Sequence, residues 1–242
     1  MARRTKATAT ARTTTRGTRR APRRWLRRLG LALLAILLLP VALSALYRFV
    51  PPPGTPLMLI RLIEGDGATH DWVALAALPA HVPLAVMAAE DNRFCDHAGF
   101  DWAALGDAID AARAGAALRG ASTLSMQLTR NLFLWPGGGF ARKAAEALWT
   151  PAVELLLGKR RIMELYLNLA ETGRGVFGVA AAAEYYFGKP AGALSAREAA
   201  GIAAILPNPR DWSPQTGYAA ERVPVLLRRM RDIAPLAGCL EE

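Results

Sequence analysis

The sequence predicts an all-α fold that follows a single membrane-spanning helix near the N-terminus. Hydrophobic residues make up 52% of the 242 residues and aromatic residues only 7%, and the excess is Ala and Leu. This composition favours a core of helices over a core of β-branched and aromatic strands. We find no internal repeat and no run of alternating strands, so we expect helix to follow helix along the chain.

The net charge of +10 is concentrated in an N-terminal tail. Residues 1–28 contain eleven Lys or Arg and no Asp or Glu, which leaves about −1 for residues 29–242. A protein that reads nucleic acid carries its basic surface on the folded domain, so we expect no nucleic-acid partner. The tail has no apolar face, and we expect it to be disordered.

Residues 29–47 contain no charged side chain and lie between Arg28 and Arg48. At 1.5 Å per residue this helix would be about 28 Å long, close to the hydrocarbon thickness of ~30 Å. Basic residues cluster before it, which predicts a cytoplasmic N-terminus and an external remainder. A secretory signal peptide is the alternative, but its apolar region is usually about 7–15 residues long, so we favour an uncleaved anchor.

The chain therefore divides into four predicted segments. Residues 1–28 form a cytoplasmic tail, 29–47 the transmembrane helix, 48–70 a linker and membrane-proximal segment, and 71–242 the external domain. Within the third segment, the apolar run 57–63 fits either a strand or a short strut.

Helix limits in the external domain follow from caps, breakers and apolar periodicity. We expect a first helix from Pro83 to about Asp91, a second from Asp101 to Gly115, and a third that Ser122 caps. A longer helix should cover 140–157, and the next should begin at Lys159. The last two should follow the Ser195–Glu198 capping box and cover 219–232. Gly173, Gly175 and Gly178 match a dinucleotide-binding string, but they follow a helix rather than a strand, so we interpret them as a flexible loop.

Cysteine and histidine content argues against a metal centre. The chain has two cysteines, Cys95 and Cys239, no C-x-x-C and three histidines, whereas a zinc site needs about four ligands in compact spacing. A disulfide is chemically permitted outside the cytoplasm. Two buried free thiols are the interpretation that we favour.

Three segments carry residues suited to catalysis. Glu90 ends an apolar helix, where partial desolvation would raise its pKa toward that of a general base. Ser122 to Asn131 place many polar side chains on one helix, and Arg142, Lys143 and Glu146 share a helix face. Lys159 opens a helix where the dipole disfavours cations, which suggests an anionic partner. Taken singly, each also fits a helix end, a capped surface helix or a surface ion pair.

Together these segments resemble the five ordered motifs of the family 51 glycosyltransferases, the polymerase domain of penicillin-binding proteins. The resemblance covers residues 71–232, and the single anchor points to the monofunctional proteobacterial type. The motifs are AAEDNRFCDHAGFDW (88–102), GASTLSMQLTRNLFLW (120–135), RKAAE (142–146), KRRIMELYLNLAETGRGVFGVAAAAEYYFGK (159–189) and LSAREAAGIAAILPNP (194–209).

The resemblance implies a lysozyme-like, two-lobed catalytic domain that polymerises lipid II into β-1,4-linked glycan with inversion and release of polyprenyl diphosphate. It places the enzyme in the cell inner membrane with its domain in the periplasm. Its partners would be lipid II, the lipid-linked glycan and other cell-wall synthesis proteins. The reaction would need no cofactor, with room for a divalent cation at the diphosphate.

The resemblance also assigns roles to residues. Glu90 would be the general base toward the acceptor 4-hydroxyl, and Glu146 would position groups or support the departing diphosphate. The expected substrate-binding residues are Asp91, Phe94, Ser122, Thr123, Gln127, Arg130, Asn131, Arg142, Lys143, Lys159 and Asn168.

Four positions depart from the family pattern. Met126 replaces a glutamine, Arg130 a lysine and Cys95 a proline. Gly138 stands where a basic residue is usual, which removes one phosphate-side cation; we expect either lower activity or substitution by a neighbour such as Lys159. Two rival functions follow: a lytic glycan hydrolase, which also uses a Glu but needs no cationic motif, and a non-catalytic scaffold of the cell-wall machinery.

Overall fold

The computed structural model describes residues 21–115 and 122–241, with side chains from Arg24 onward. The chain divides at Leu39 and Pro40 into two compact units. Helix α1, Ala21–Tyr47, contains a stretch from Arg24 to Tyr47 that has the length and composition of a membrane span; it is the one such helix in the described part of the chain. Its apolar side chains, Leu31 and Ile36 among them, are exposed.

The unit that begins at Pro40 is mainly helical, which confirms the all-α prediction. A three-stranded sheet of very short strands is the addition that we did not predict. The helices are α2 (Pro56–Glu64), α3 (His81–Glu90), α4 (Trp102–Arg113), α5 (Leu124–Phe133), α6 (Gly139–Leu169), α7 (Gly178–Phe187), α8 (Ala196–Ile205) and α9 (Gly217–Ile233), and the strands are β1 (Thr69–His70), β2 (Glu171–Gly173) and β3 (Val176–Phe177).

Local sequence explains most helix limits. The ambiguous run 57–63 is helix α2, because Thr55 caps it, Pro56 opens it and Gly65 ends it at φ 86°. The capping box of Ser195 and Glu198 at α8 is present as predicted.

Two further predictions concern α5 and α6. Thr123, not Ser122, caps α5, because the Thr123 hydroxyl accepts the amide hydrogen of Met126. Helix α6 confirms the predicted pair of helices over 140–157 and from Lys159, since Gly158 interrupts it at φ 73° and ψ 163°.

The glycine string is not a flexible loop, and that prediction was wrong. Strands β2 and β3 pair antiparallel across it, and β3 also pairs parallel with β1. The Gly178 backbone has φ 81°, and a Cβ there would lie 2.5 Å from the carbonyl oxygen of Asn168. Glycine is needed here for close backbone packing.

The core brings the C-terminal end of α3 next to α5. Helix α5 packs along α6, and α3 packs against α8 and α9. Fully buried side chains such as Phe94, Leu124, Leu128 and Ile162 fill the space between these elements. The C-terminal end of α3 and the polar face of α5 therefore meet at one surface.

Cys95 and Cys239 form a disulfide, so the prediction of two free thiols was wrong. Their Cα atoms lie 5.6 Å apart, within the range that a disulfide bridges. The bond ties the loop after α3 to the C-terminal segment, which follows it by 144 residues. Spacing could not show this pairing, because it depends on where the last helices pack.

Candidate active site

Glu90 is the last residue of α3, and its carboxylate is held by α5. The Gln127 amide donates a hydrogen bond to the Glu90 carboxylate, with Nε2 2.9 Å from Oε2. The hydroxyl of Tyr166, on α6, donates in turn to Gln127 Oε1 at 2.9 Å. The two bonds set the orientation of the amide, so Glu90 faces a fixed donor.

The surroundings of Glu90 make it a better base than an exposed glutamate. Burial is the largest effect and raises the pKa of Glu90. The hydrogen bond from Gln127 and the charges of Arg222 and Arg130 lower the pKa by less, so the net direction is upward. A carboxylate with a raised pKa holds a proton more tightly, as a general base requires.

A cavity of about 290 Å³ opens on one side of Glu90. Glu90 and the residues that follow α3 form one wall, and Ser122 and Thr123 at the start of α5 form another. We call this the acceptor-side cavity. Arg229 from α9 also lines it, and the Arg229 guanidinium lies 3.5 Å from the carbonyl oxygen of Ala88.

A second cavity of about 270 Å³ lies on the Gln127 side. Gln127, Arg130, Asn131, Arg142 and Tyr166 line this cavity, which we call the cationic cavity. The hydrogen bond between Gln127 and Glu90 thus joins a residue of the cationic cavity to one of the acceptor-side cavity.

Glu146 lies beneath the cations rather than beside a cavity. Its side chain is 2% exposed; Arg142 forms an ion pair with it, and Lys143 Nζ lies 3.3 Å from its Oε2. Lys143 also donates to the Ser122 hydroxyl at 2.7 Å. Glu146 therefore positions two cations and is not among the described residues that line either cavity.

The cations themselves are crowded and partly desolvated. Burial lowers the pKa of both Arg142 and Lys143, and the charge of Arg130 lowers each further. Like charges held together in this way are stabilised when an anion binds among them. The arrangement suits a ligand with a diphosphate.

Asp91 and Thr123 also line the acceptor-side cavity, but internal hydrogen bonds occupy their side chains. Asp91 accepts from the amide of Leu124 at 2.9 Å and pairs with the imidazole of His97 at 3.1 Å. The Thr123 hydroxyl donates to the Gly99 carbonyl at 2.6 Å. Both residues join the loop after α3 to the start of α5.

Phe94, Asn168 and Lys159 are not brought into the site. Phe94 is fully buried in the core. The buried Asn168 amide accepts from the Val73 backbone N–H at 2.8 Å and donates to the Val73 carbonyl at 2.9 Å. Lys159 pairs with Glu154 at 2.7 Å and lies over the Phe94 ring. It is absent from the described lining of both cavities.

The departure at Gly138 has a structural reason. Gly138 has φ 80°, and a Cβ there would lie 3.0 Å from Arg142 Cβ and 3.1 Å from the indole nitrogen of Trp135. A side chain at this position would be strained in this backbone. Met126 is buried, which agrees with an apolar side chain there.

Sequence reasoning missed three residues around Glu90: Tyr166, Arg222 and Arg229. The sequence pattern placed Tyr166 on the apolar face of its helix. The one available signal was its hydroxyl, because a buried tyrosine hydroxyl usually needs a hydrogen-bond partner. Arg222 and Arg229 lie on α9, far along the chain from Glu90, and nothing in their spacing points to it.

The described residues contain no group of three or more His, Cys, Asp or Glu side chains placed to hold a metal ion. The charged side chains that face the cationic cavity include Arg130 and Arg142.

Sequence comparisons find a matching family and several similar proteins. A family model described as transglycosylase matches residues 58–231. The biosynthetic peptidoglycan transglycosylase of Rhodospirillum centenum is 52% identical over 222 residues, which cover 90% of this chain and 96% of the relative. The protein of the same name from Caulobacter vibrioides is 47% identical over 78% of this chain and 83% of its own, and that from Nitrobacter winogradskyi is 44% identical over 90% and 96%.

Proposed function

The chain belongs to the transglycosylase family, and from that premise we propose that it polymerises lipid II into the glycan strands of peptidoglycan. One observation carries the proposal: a carboxylate with a raised pKa lines one cavity and is hydrogen-bonded to Gln127 of a second cavity, which Arg130 and Arg142 also line. Such a pair of cavities suits one sugar that is activated by a diphosphate and one that is deprotonated.

In the proposed reaction, the growing strand occupies the cationic cavity through its diphosphate. Lipid II occupies the acceptor-side cavity with its sugar 4-hydroxyl at Glu90. Glu90 takes the hydroxyl proton, the oxygen attacks the anomeric carbon of the donor sugar, and the bond to the diphosphate breaks on the opposite face. A positioned base of this kind contributes typically ~10²–10⁴ in rate.

The cations would act on the leaving group. Arg130 and Arg142 line the cavity, and Lys143 is held beside it by Glu146 and Ser122. Fixed positive groups stabilise charge that develops on the departing diphosphate. They supply the charge that a divalent cation would otherwise bring, so we propose that the reaction needs no cofactor.

The same cations distinguish a polymerase from the two rival functions. A glycan hydrolase has no diphosphate to bind and would not need three crowded cations. A scaffold would not need Glu90 aligned by Gln127 and Tyr166 at the edge of a cavity. Both carboxylates are held by specific partners: Gln127 donates a hydrogen bond to Glu90, and Arg142 and Lys143 form ion pairs with Glu146.

We place the enzyme in the cell inner membrane with the folded unit in the periplasm. The apolar helix α1 supports membrane attachment, and the basic residues before it support a cytoplasmic N-terminus. The Cys95–Cys239 disulfide supports an oxidising compartment for the rest of the chain. Other cell-wall synthesis proteins are the partners that we propose there.

The decisive experiment is polymerisation of purified lipid II in detergent by the wild type and by Glu90→Gln. We expect polymer from the wild type and a loss of at least about 10²-fold in the variant, because the amide cannot accept the proton. Glu184→Gln, on the exposed side of α7, is the matched control and should polymerise normally. Cleavage of preformed glycan without polymer would identify a hydrolase, and near-normal activity of Glu90→Gln would remove Glu90 from the role of base.

A further inference from the structure

A third concave surface lies beyond the cationic cavity, on the loop between α8 and α9. It is an open groove of about 580 Å³, within the usual range for ligand sites. Two kinds of side chain share it: the aromatic rings of Tyr185, Tyr186 and Trp212, and the polar groups of Arg174, Asp211 and Gln215. We call it the aromatic groove.

The aromatic groove and the cationic cavity share a wall. Pro209 lines both of them, and Pro207 and Leu206 continue the wall on the side of the cationic cavity. A ligand too long for the cationic cavity can therefore pass over Pro209 into the aromatic groove. A growing glycan has this property, since each cycle adds two sugars to it.

The lining chemistry fits sugar rings. Aromatic faces pack against the apolar faces of a sugar, while planar side chains such as Arg, Asp and Gln bond its hydroxyl and amide groups. Tyr185 is 66% exposed and stands edge-on to Tyr186, with the ring centroids 4.8 Å apart. Arg174 and Asp211 form a loose ion pair at 3.4 Å and keep donor and acceptor capacity on an exposed rim.

The groove is held in shape before any ligand binds. Gln215 donates to the backbone carbonyl of Tyr186 at 3.1 Å, which joins the loop to α7. Arg210 pairs with Asp66 at 2.6 Å, and Pro214 lies so close to Gly201 that a Cβ there would be 3.0 Å away. A rigid surface binds with less loss of conformational entropy than a mobile loop would.

Building on the proposed function, we propose that the aromatic groove binds the sugar units of the product strand after they pass Pro209. By retaining the strand between additions, it would lengthen the polymer made in one encounter. The ligand class is a glycan of alternating N-acetylated hexosamines whose sugar chain carries no charge. After each addition the strand carries the diphosphate of the former lipid II, and this end moves into the cationic cavity for the next cycle.

The test measures glycan binding apart from catalysis. The probe is a lipid-free octasaccharide of alternating N-acetylglucosamine and N-acetylmuramic acid, with each lactyl carboxyl converted to an amide, and it is titrated into the full chain in detergent by calorimetry. We expect Tyr185→Ala to bind it about fivefold more weakly than the wild type, because one stacking surface is lost. Arg174→Ala, also on the exposed rim, is the second variant in case the first does not fold.

Val225→Ala is the control. Val225 is 48% exposed on α9 and is not among the described residues of the groove. The control should keep wild-type glycan affinity. In lipid II polymerisation, Tyr185→Ala should give strands at least about twofold shorter than those of the wild type and of the control.

The outcomes separate the two proposals. Equal octasaccharide affinity in the wild type and both groove variants would overturn the groove, as would preferential binding of the free stem peptide. If the wild type makes no polymer from lipid II, the proposed function fails. The affinity difference between wild type and Tyr185→Ala then still decides whether the groove binds glycan.

Discussion

Replacing Gln127 with leucine should raise the pKa of Glu90 further and shift the pH dependence of the enzyme. Gln127 Nε2 lies 2.9 Å from the carboxylate and is the strongest of the effects that lower the pKa of Glu90. A donor to a carboxylate stabilises the charged form, so its loss must favour the protonated form. Leucine has a similar size and cannot donate.

The magnitude follows from the bond that is lost. A hydrogen bond to a charged group contributes about 1.5–3 kcal/mol net, and one pKa unit corresponds to about 1.36 kcal/mol. Arg130 and Arg222 still act on the carboxylate in the variant. We therefore take the lower end and expect the pKa of Glu90 to rise by about one unit.

The assay is kcat/KM for lipid II as a function of pH, whose acid limb reports the base in the free enzyme. The acid limb of Gln127→Leu should lie about one pH unit above that of the wild type. Tyr166→Phe removes only the hydroxyl that orients Gln127, and it should give a smaller shift in the same direction. An acid limb at the wild-type pH in Gln127→Leu would refute the reasoning, whatever happens to the maximal rate.

Three further predictions concern residues around this centre. Glu146→Gln should lower turnover at least about tenfold, because Arg142 and Lys143 lose the carboxylate that positions them; an unchanged rate would reduce Glu146 to an ordinary ion-pair partner. Arg229→Ala should raise KM for lipid II about threefold or more through the loss of a cation in the acceptor-side cavity, whereas Arg231→Ala, on the same helix, should not. Replacing both disulfide cysteines with alanine should lower the free energy of unfolding by about 2–4 kcal/mol in urea titration. Dithiothreitol should destabilise the wild type in the same way and leave the double variant unchanged; equal stability of all samples would contradict this.

Local signals in the sequence predicted the helices well because they act over a few residues. The capping box at Ser195 and the break before Lys159 depend only on neighbouring residues. Ser122 and Thr123 are both good caps. Which of them caps α5 depends on the path of the backbone into the helix, and that path is set only in the folded chain. The glycine string 173–178 was misread because its strands pair with β1, which lies far away along the chain.

The residues of the site show the same difference between what local sequence predicts and what packing decides. The residue types of the motifs predicted which segments meet, but not which side chains face a cavity. Asn168 and Phe94 stand in motifs and are buried in the fold, while Tyr166 was taken for a core residue and aligns Gln127. Orientation on a helix depends on what packs against it, and that is a tertiary property.

The sequence by itself determined the helical class, the apolar N-terminal segment, the family and the pairing of a lone acid with a group of cations, because these depend on composition, spacing and motif order. Only the tertiary structure decided that Gln127 joins Glu90 to the cationic cavity, that Glu146 supports cations from beneath, that Arg229 enters from α9 and that Cys95 reaches Cys239. Each of these is a contact between distant parts of the chain, and its geometry exists only once the helices have packed.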